Sequence, residues 1–447
     1  MTRRDFQGIT GAIRELSIST HSYTTILNFF HATSWKIEDI EGKWIEIIKE
    51  SGCMLKKDGY CVLLGDGIKK GKEARKMPAV KKHHQESENT SKPTYIFGHL
   101  FGVHGLLIGR EEHKFCVPVS ARIQNGAEVI RSFSEKEKIG GSHVVQMMEQ
   151  CCQTAKILQE PTMIVLDRYF LTKNALESLS NFQKEHKTAQ IAIVTRAKIN
   201  ATANEKPIPK EKKGRARPAK LGKELKLKDL FITQSERFVK AKVTLYGQSV
   251  EISYLCLNLL WDKDTQLRYV LVHYENKQCI LVCSDLLLDP LTIIELYGMR
   301  QKIEATFKSL SQTIGGFDYH FWNKQMPKLD RYRKKDEKDP LEAIADDKVH
   351  KSIQNTLKAI EGYVTIACIA NGLLSMISIL FRQELIDSPL RWLRTPNFKA
   401  PSEATVSDVL RCKTFMGFFA ISKKISSLPI IRIIRAKQLR NPFRLAS

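Results

Sequence analysis

Three acids stand where carboxylates can do chemistry. Asp66 closes the apolar run "YCVLLGD", Asp167 closes "TMIVLD", and Glu304 lies inside "LYGMRQKIEATFKSLSQTIGG", Leu296 to Gly316. Each has a plainer use on its own. Asp66-Gly67 is a tight-turn dipeptide. Asp167 precedes a helix and can be its N-cap. Glu304 follows Arg300 at i,i+4, the spacing of an exposed ion pair worth roughly a few tenths of a kcal/mol. Taken together, two aspartates at adjacent strand ends and a glutamate on a flanking helix can converge on one point. Three such carboxylates repel unless cations separate them. Oxygen-only ligands suit Mg2+ or Mn2+. A pair of these ions is the machinery of in-line displacement at a phosphodiester, one activating water or a 3′-hydroxyl, the other stabilising the leaving oxygen. The expected cofactor is therefore two Mg2+ or Mn2+ ions held by Asp66, Asp167 and Glu304.

The elements that must position these acids can be read from periodicity. Asp289 and Pro290 read as N-cap and first residue of a helix, and Gly315-Gly316 as its stop. At about 100° per residue, Leu296, Met299, Ile303, Phe307, Leu310 and Ile314 form one buried stripe. Tyr297, Arg300, Glu304 and Ser311 share a neighbouring stripe, on the flank of the buried face. Gly298 costs about 1 kcal/mol relative to alanine in a helix, which points to close approach by something, either packing or DNA. Before this helix the order is three strands, then helix, strand, helix and strand. A short antiparallel meander leading into βαβ units is the order of the RNase H-like fold.

This gives an α/β reading with five segments. Residues 1–58 are helical, with a possible role in recognising DNA ends. Residues 59–204 form the first part of an RNase H-like core. Residues 205–288 hold a basic arm and an all-β insertion, 289–325 the helix of Glu304, and 326–447 a helical, basic region with a possible role in dimerisation. The arm, Glu205 to Lys228, carries ten Lys and Arg against three Glu. It reads as a solvated linker or as a phosphate-contacting arm through Lys212, Lys213, Arg215, Arg217 and Lys220.

Composition narrows the partner. The chain has 447 residues, too many for one compact core. With 71 Lys and Arg against 48 Asp and Glu, its net charge of +23 calls for a polyanion, and nucleic acid is the expected one. "YVTIACIANGLLSMISILF", Tyr363 to Phe381, is long enough to span a membrane. Thr365, Asn371, Gly372 and two serines dilute it, so it is expected to be a buried helix, with no membrane partner. The first residues are charged and lack the apolar core of a signal peptide. The ten cysteines include no Cys-x-x-Cys and fit a reducing compartment, so a cytoplasmic, nucleoid-associated protein is expected.

The stretch "YGMRQKIEATFKSL" resembles the Tyr-x2-Arg-x3-Glu-x6-Lys signature of bacterial insertion-sequence DDE transposases, the insertion-sequence-four-like group. "VLLGDGIKKGKEARKMPAV" and "IVLDRYF" resemble the segments around that family's two aspartates. "IVTRAK" with Arg196, "KKGRARPAKLG" and "ILVCSDL" are also similar. The likeness covers roughly residues 55 to 325. It implies that Asp66, Asp167 and Glu304 are the metal-binding triad, with Asp66 touching both ions, and that Tyr297 and Arg300 contact transposon-end phosphates. The family lysine falls at Ser311, and Lys308, one turn back on the same side, is the candidate substitute. The implied activity is cut-and-paste transposition: binding inverted-repeat ends of double-stranded DNA, cleavage to 3′-hydroxyls and joining to target DNA. Joining two ends needs two active sites, hence a homodimer on DNA. The alternatives are a catalytically silent DNA-binding descendant of a transposase and an RNase H-like nuclease without strand transfer.

Overall fold

The computed structural model describes residues 8–16, 19, 21–85, 93–110, 113–133, 142–207, 220–330, 337–387 and 401–413. Helices α1 (Gly8–Leu16), α2 (His21–His31) and α3 (Ile37–Glu50) come first. Strands β1 (Lys56–Lys57), β2 (Tyr60–Gly71), β3 (Lys81–His84), β4 (Tyr95–Arg110) and β5 (His113–Asn125) follow. Then come α4 (Glu128–Ser132), α5 (His143–Leu158), β6 (Thr162–Val165), α6 (Lys173–Glu185) and β7 (Ile191–Arg196). The insertion holds β8 (Thr202–Asn204), β9 (Glu224–Lys226), α7 (Leu227–Thr233), β10 (Val239–Leu245), β11 (Gln248–Leu260), β12 (Gln266–Tyr274) and β13 (Lys277–Cys283). After it stand α8 (Pro290–Met299), α9 (Gln301–Ser309), α10 (Asp347–Leu380) and α11 (Arg382–Ile386). The architecture is mixed α/β.

The chain divides into two compact units. The first takes Met1–Cys53, Gly67–His143 and Glu304–Ser447; the second takes Met54–Asp66 and Val144–Ile303. Strand β2 contributes to both.

In the second unit the strands follow the order β2-β6-β7-β13-β12-β11-β8-β9, with β1 on β2 and β10 on β11. The β2–β6 and β6–β7 pairs are parallel. Both β6 and the apolar part of β7 are buried residue after residue, as strands covered on both faces must be. Helix α5 buries the stripe expected of it, Val144, Met148, Cys151, Ala155 and Leu158. The insertion departs from the all-β expectation. Its strands β10 to β13 form an antiparallel meander, but α7 lies ahead of them. Leu227, Leu230 and Phe231 give α7 an i, i+3, i+4 apolar face, and all three are buried. The insertion also extends the core sheet, because β13 pairs antiparallel with β7 from Leu281↔Arg196 to Cys283↔Val194.

In the first unit β4 pairs with β3 and β5, antiparallel in both cases. The later half of β2 lies beside β4, and the Lys72 N–H just past it donates to the Phe97 carbonyl at 2.8 Å. Helix α10 packs on β5, α2 and α3. It is long and apolar enough to cross a membrane, yet 61% of its apolar window is buried inside the protein, so it serves as a core helix. Its Glu361 is buried and accepts from the Ile123 N–H at 2.9 Å and from Arg131 at 2.8 Å. Arg122, next to Ile123, pairs with Glu41 at 2.7 Å. This charge cluster ties α3, β5, α4 and α10 together. Removing one partner of such a buried set costs about 3–5 kcal/mol. All ten cysteines are free thiols.

Candidate active site

Asp66 and Asp167 are brought together by strand register. The parallel pair runs Cys61↔Thr162 to Leu64↔Val165, and the same offset sets Asp66 level with Asp167. Asp167 is still extended, at φ −75° and ψ 167°. Register partners on parallel strands project to the same face, and adjacent strands lie about 4.8 Å apart. Both acids are half-buried. Asp66 is not at a strand end, as the sequence suggested, because β2 runs on to Gly71. Gly67 is absent from the left-handed glycines, so the Asp-Gly pair makes no turn. Asp167 does not cap α6 either. Thr172 does, accepting from the Ala175 N–H, which leaves the Asp167 carboxylate for other partners.

The partners of both aspartates come from α8 and the turn that follows it. The predicted caps hold: Asp289 accepts from the Thr292 N–H at 2.9 Å, and Pro290 opens the helix. Tyr297 donates its hydroxyl to Asp167 Oδ1 at 3.3 Å. Arg300 Nη1 pairs with Asp66 Oδ2 at 2.9 Å, both side chains about one-fifth exposed. Burial pushes the Tyr297 phenol up, and the Asp167 carboxylate adds to this, while Arg300 and Arg196 oppose it. Tyr297 is thus a donor at neutral pH. The residues expected at phosphates are engaged by the two aspartates. Thr195 fixes the arrangement from below, donating its hydroxyl to the Asp167 carbonyl at 3.0 Å. Gly298 is used for packing: a Cβ there would lie 2.7 Å from Leu245 Cδ2.

The expected single helix is broken. Arg300 is a turn residue between α8 and α9. Its N–H donates to the Tyr297 carbonyl at 3.1 Å, and the Ile303 N–H donates to its own carbonyl at 3.1 Å, which is 3₁₀ spacing. Leu310–Ile314 then widens into a π turn. Gly315 stops the run at φ 66°, a conformation that glycine adopts without strain. Of the expected stripe, Leu296, Met299, Ile303, Leu310 and Ile314 are buried, while Phe307 is only partly so. Turns of 3₁₀ and π type inside helices recur at functional sites.

Glu304 belongs to the first unit, whose boundary falls just before it. It is exposed, as is Lys308. Thr306 anchors α9 through its hydroxyl to the Cys116 carbonyl at 2.7 Å. Ser311, where the resembled family has lysine, meets a lysine from elsewhere: Lys70 Nζ lies 2.6 Å from its hydroxyl and 4.6 Å from the Phe317 ring centroid. No local signal could have found Lys70, because the pairing spans 241 residues. Thr195 was equally silent, since a hydroxyl bonded to backbone leaves no sequence pattern. Arg196 sits half-buried at the end of β7. Lys220 is exposed. Lys212, Lys213, Arg215 and Arg217 lie outside the described residues.

The donor chemistry fits a hard divalent cation. Asp66 and Asp167 offer only carboxylate oxygens, from adjacent strands. Each carboxylate has about four lone-pair sites; Asp167 accepts from the Tyr297 hydroxyl and Asp66 from Arg300. Among the described residues no group of three or more His, Cys, Asp or Glu is placed to hold a metal ion. Comparisons with protein-family models, curated proteins and solved structures find nothing that matches this chain.

Proposed function

We propose that this chain is a DNA transposase with an RNase H-like core. One observation carries the reading: β2 and β6 set two aspartates level on adjacent parallel strands, and Tyr297 of α8 and Arg300 of the turn after it supply a donor to each. Strand pairing supports the core. In the first unit β5 pairs with β4, and β4 with β2; in the second β2 pairs with β6, and β6 with β7. The net charge of +23 suits a duplex polyanion.

Asp66 and Asp167, with Glu304 as the third acid, would hold Mg2+ or Mn2+, which when bound supplies charge neutralisation and an activated oxygen nucleophile. The chain's own part is separable from that. Arg300 pairs with Asp66, and its planar fork can exchange the carboxylate for a phosphate oxygen. Tyr297 keeps one Asp167 oxygen occupied and so orients the other. Thr195 and the turn after Asp167 hold the backbone rigid beneath the acid. The basic arm from Lys212 to Lys220, Arg196 and Lys308 would bind phosphates along inverted-repeat ends and target DNA. A homodimer would bring two ends together.

The test is the Glu304→Gln variant, incubated with the DNA that flanks its own reading frame and Mg2+. Strand cleavage is lost and end binding is kept. Full cleavage by that variant would remove Glu304 from the triad.

A further inference from the structure

Beyond Asp66, β2 leads to two partly buried lysines, Lys70 and Lys72. Successive side chains of a strand alternate, which puts Asp66, Ile68 and Lys70 on one face. Lys72 continues that face, kept on the sheet by its N–H to the Phe97 carbonyl at 2.8 Å. Lys70 Nζ donates to the Ser311 hydroxyl at 2.6 Å, and that hydroxyl donates to the Phe307 carbonyl at 2.7 Å. Lys72 Nζ donates to the Phe317 carbonyl at 2.6 Å and to the Tyr319 carbonyl at 3.1 Å. It also lies 4.0 Å from the Tyr319 ring centroid. That ring is pinned in turn. His99 Nε2 donates to the Pro78 carbonyl at 2.7 Å, so His99 Nδ1 accepts from the Tyr319 hydroxyl at 2.6 Å.

These contacts lie within the first unit and fasten the segment that leaves the helix of Glu304. Helix α9 has two other anchors, Thr306 on the Cys116 carbonyl of β5 and Ser309 on Asn371 of α10 at 2.6 Å. Lys70 and Lys72 add a third, to the strand that carries Asp66. Charge makes this brace costly. Burial brings the Lys72 ammonium down to about 8, opposed by Asp318 and furthered by Lys70. Burial lowers Lys70 as well, again opposed by Asp318. The groups facing Lys72 are Lys70 on its own strand, Asp318 and Tyr319 on the segment after α9, and His99 on β4, which burial keeps neutral. A methionine would fill the same space without that cost. What an ammonium adds is direction, since it needs oxygens at set places around it.

We propose that Lys70 and Lys72 are positioning residues that set where Glu304 stands, by clamping the π turn and exit of its helix to the face of β2 that bears Asp66. This rests on the reading of Glu304 as a metal-binding acid, and adds what aims it. In this role neither lysine contacts the metal ion or DNA.

The test is Mn2+ titration by electron paramagnetic resonance, without DNA, on the wild-type chain, Lys72→Met, Glu304→Gln and the double variant. Lys72→Met weakens Mn2+ binding roughly 10- to 100-fold, the loss that follows when the outer support of a metal ligand is removed. Added to Glu304→Gln, it has no further effect. Deleting a positive charge would by itself tighten binding of a cation, so the direction separates aim from electrostatics. A second measurement needs no variant. Amide-exchange protection of residues 310–319 in the wild-type chain, corrected for the intrinsic pH dependence of exchange, drops as pH rises through about 8 and Lys72 loses its proton. Mn2+ affinity unchanged or raised in Lys72→Met, or protection that stays level across that pH range, would overturn the proposal. If Glu304→Gln binds Mn2+ as the wild type does, the metal-binding reading of Glu304 falls and this role falls with it. If Glu304→Gln loses affinity and Lys72→Met does not, the clamp alone falls.

Discussion

Arg300 and Tyr297 define the state in which Asp66 and Asp167 wait. Two ionised carboxylates on neighbouring strands repel, and one cation plus one phenolic donor offset much of that cost. The same arrangement makes Arg300 a competitor for any divalent cation at Asp66. Arg300→Gln is therefore expected to tighten Mn2+ binding a few-fold, because a partly exposed ion pair is worth on the order of 1 kcal/mol. Titration of Mn2+ by electron paramagnetic resonance reads this directly, and an unchanged affinity would mean that Arg300 does not guard the acid. Ser311 tells a related story at this scale. The missing lysine on the helix is matched by Lys70 arriving from β2, so the local charge is present although the local sequence lacks it.

At the level of elements, the parts fixed by local chemistry were legible. The caps Asp289 and Pro290, the stop at Gly315 and the buried stripe of α5 follow from residue types a few positions apart. The core strands β2, β6 and β7 were visible as apolar runs, the first two closing on acids. Three things were not legible. The break at Arg300 escaped because a 3₁₀ turn differs from an α turn by only about 20° per residue, too little to disturb a stripe. The continuation of β2 past Asp66 depends on its neighbour β4, which no turn dipeptide encodes. The use of Gly298 depends on Leu245, which lies on a different element. That last packing can be tested. Gly298→Ala gains helix propensity of about 1 kcal/mol but forces a methyl against Leu245, an overpacking cost of about 1–3 kcal/mol. Urea unfolding is expected to show net destabilisation, restored by adding Leu245→Ala. A Gly298→Ala protein as stable as wild type, but unable to bind DNA, would give the glycine back to the DNA.

On the scale of the whole molecule, a charge of +23 and a mixed α/β architecture were both readable from composition and pattern. The place of the insertion was not. It looked like a separate β segment, and it instead continues the sheet through β13 and β7, a pairing between strands far apart in sequence. The basic arm makes a prediction that belongs to this scale. Neutralising Lys212, Lys213, Arg215, Arg217 and Lys220 should lower the slope of log affinity against log salt by about 0.9 for each phosphate that the arm no longer neutralises. An unchanged slope would make the arm a linker.

The central claim is that Asp66 and Asp167 serve one metal-dependent cleavage of DNA ends. Its most direct test is incubation of the full chain with the DNA flanking its own reading frame and Mg2+, the products resolved strand by strand. The account predicts new 3′-hydroxyl ends at the element boundary that disappear with EDTA, with Asp66→Asn and with Asp167→Asn, while DNA binding persists in both variants. Cleavage that survives either substitution would contradict it.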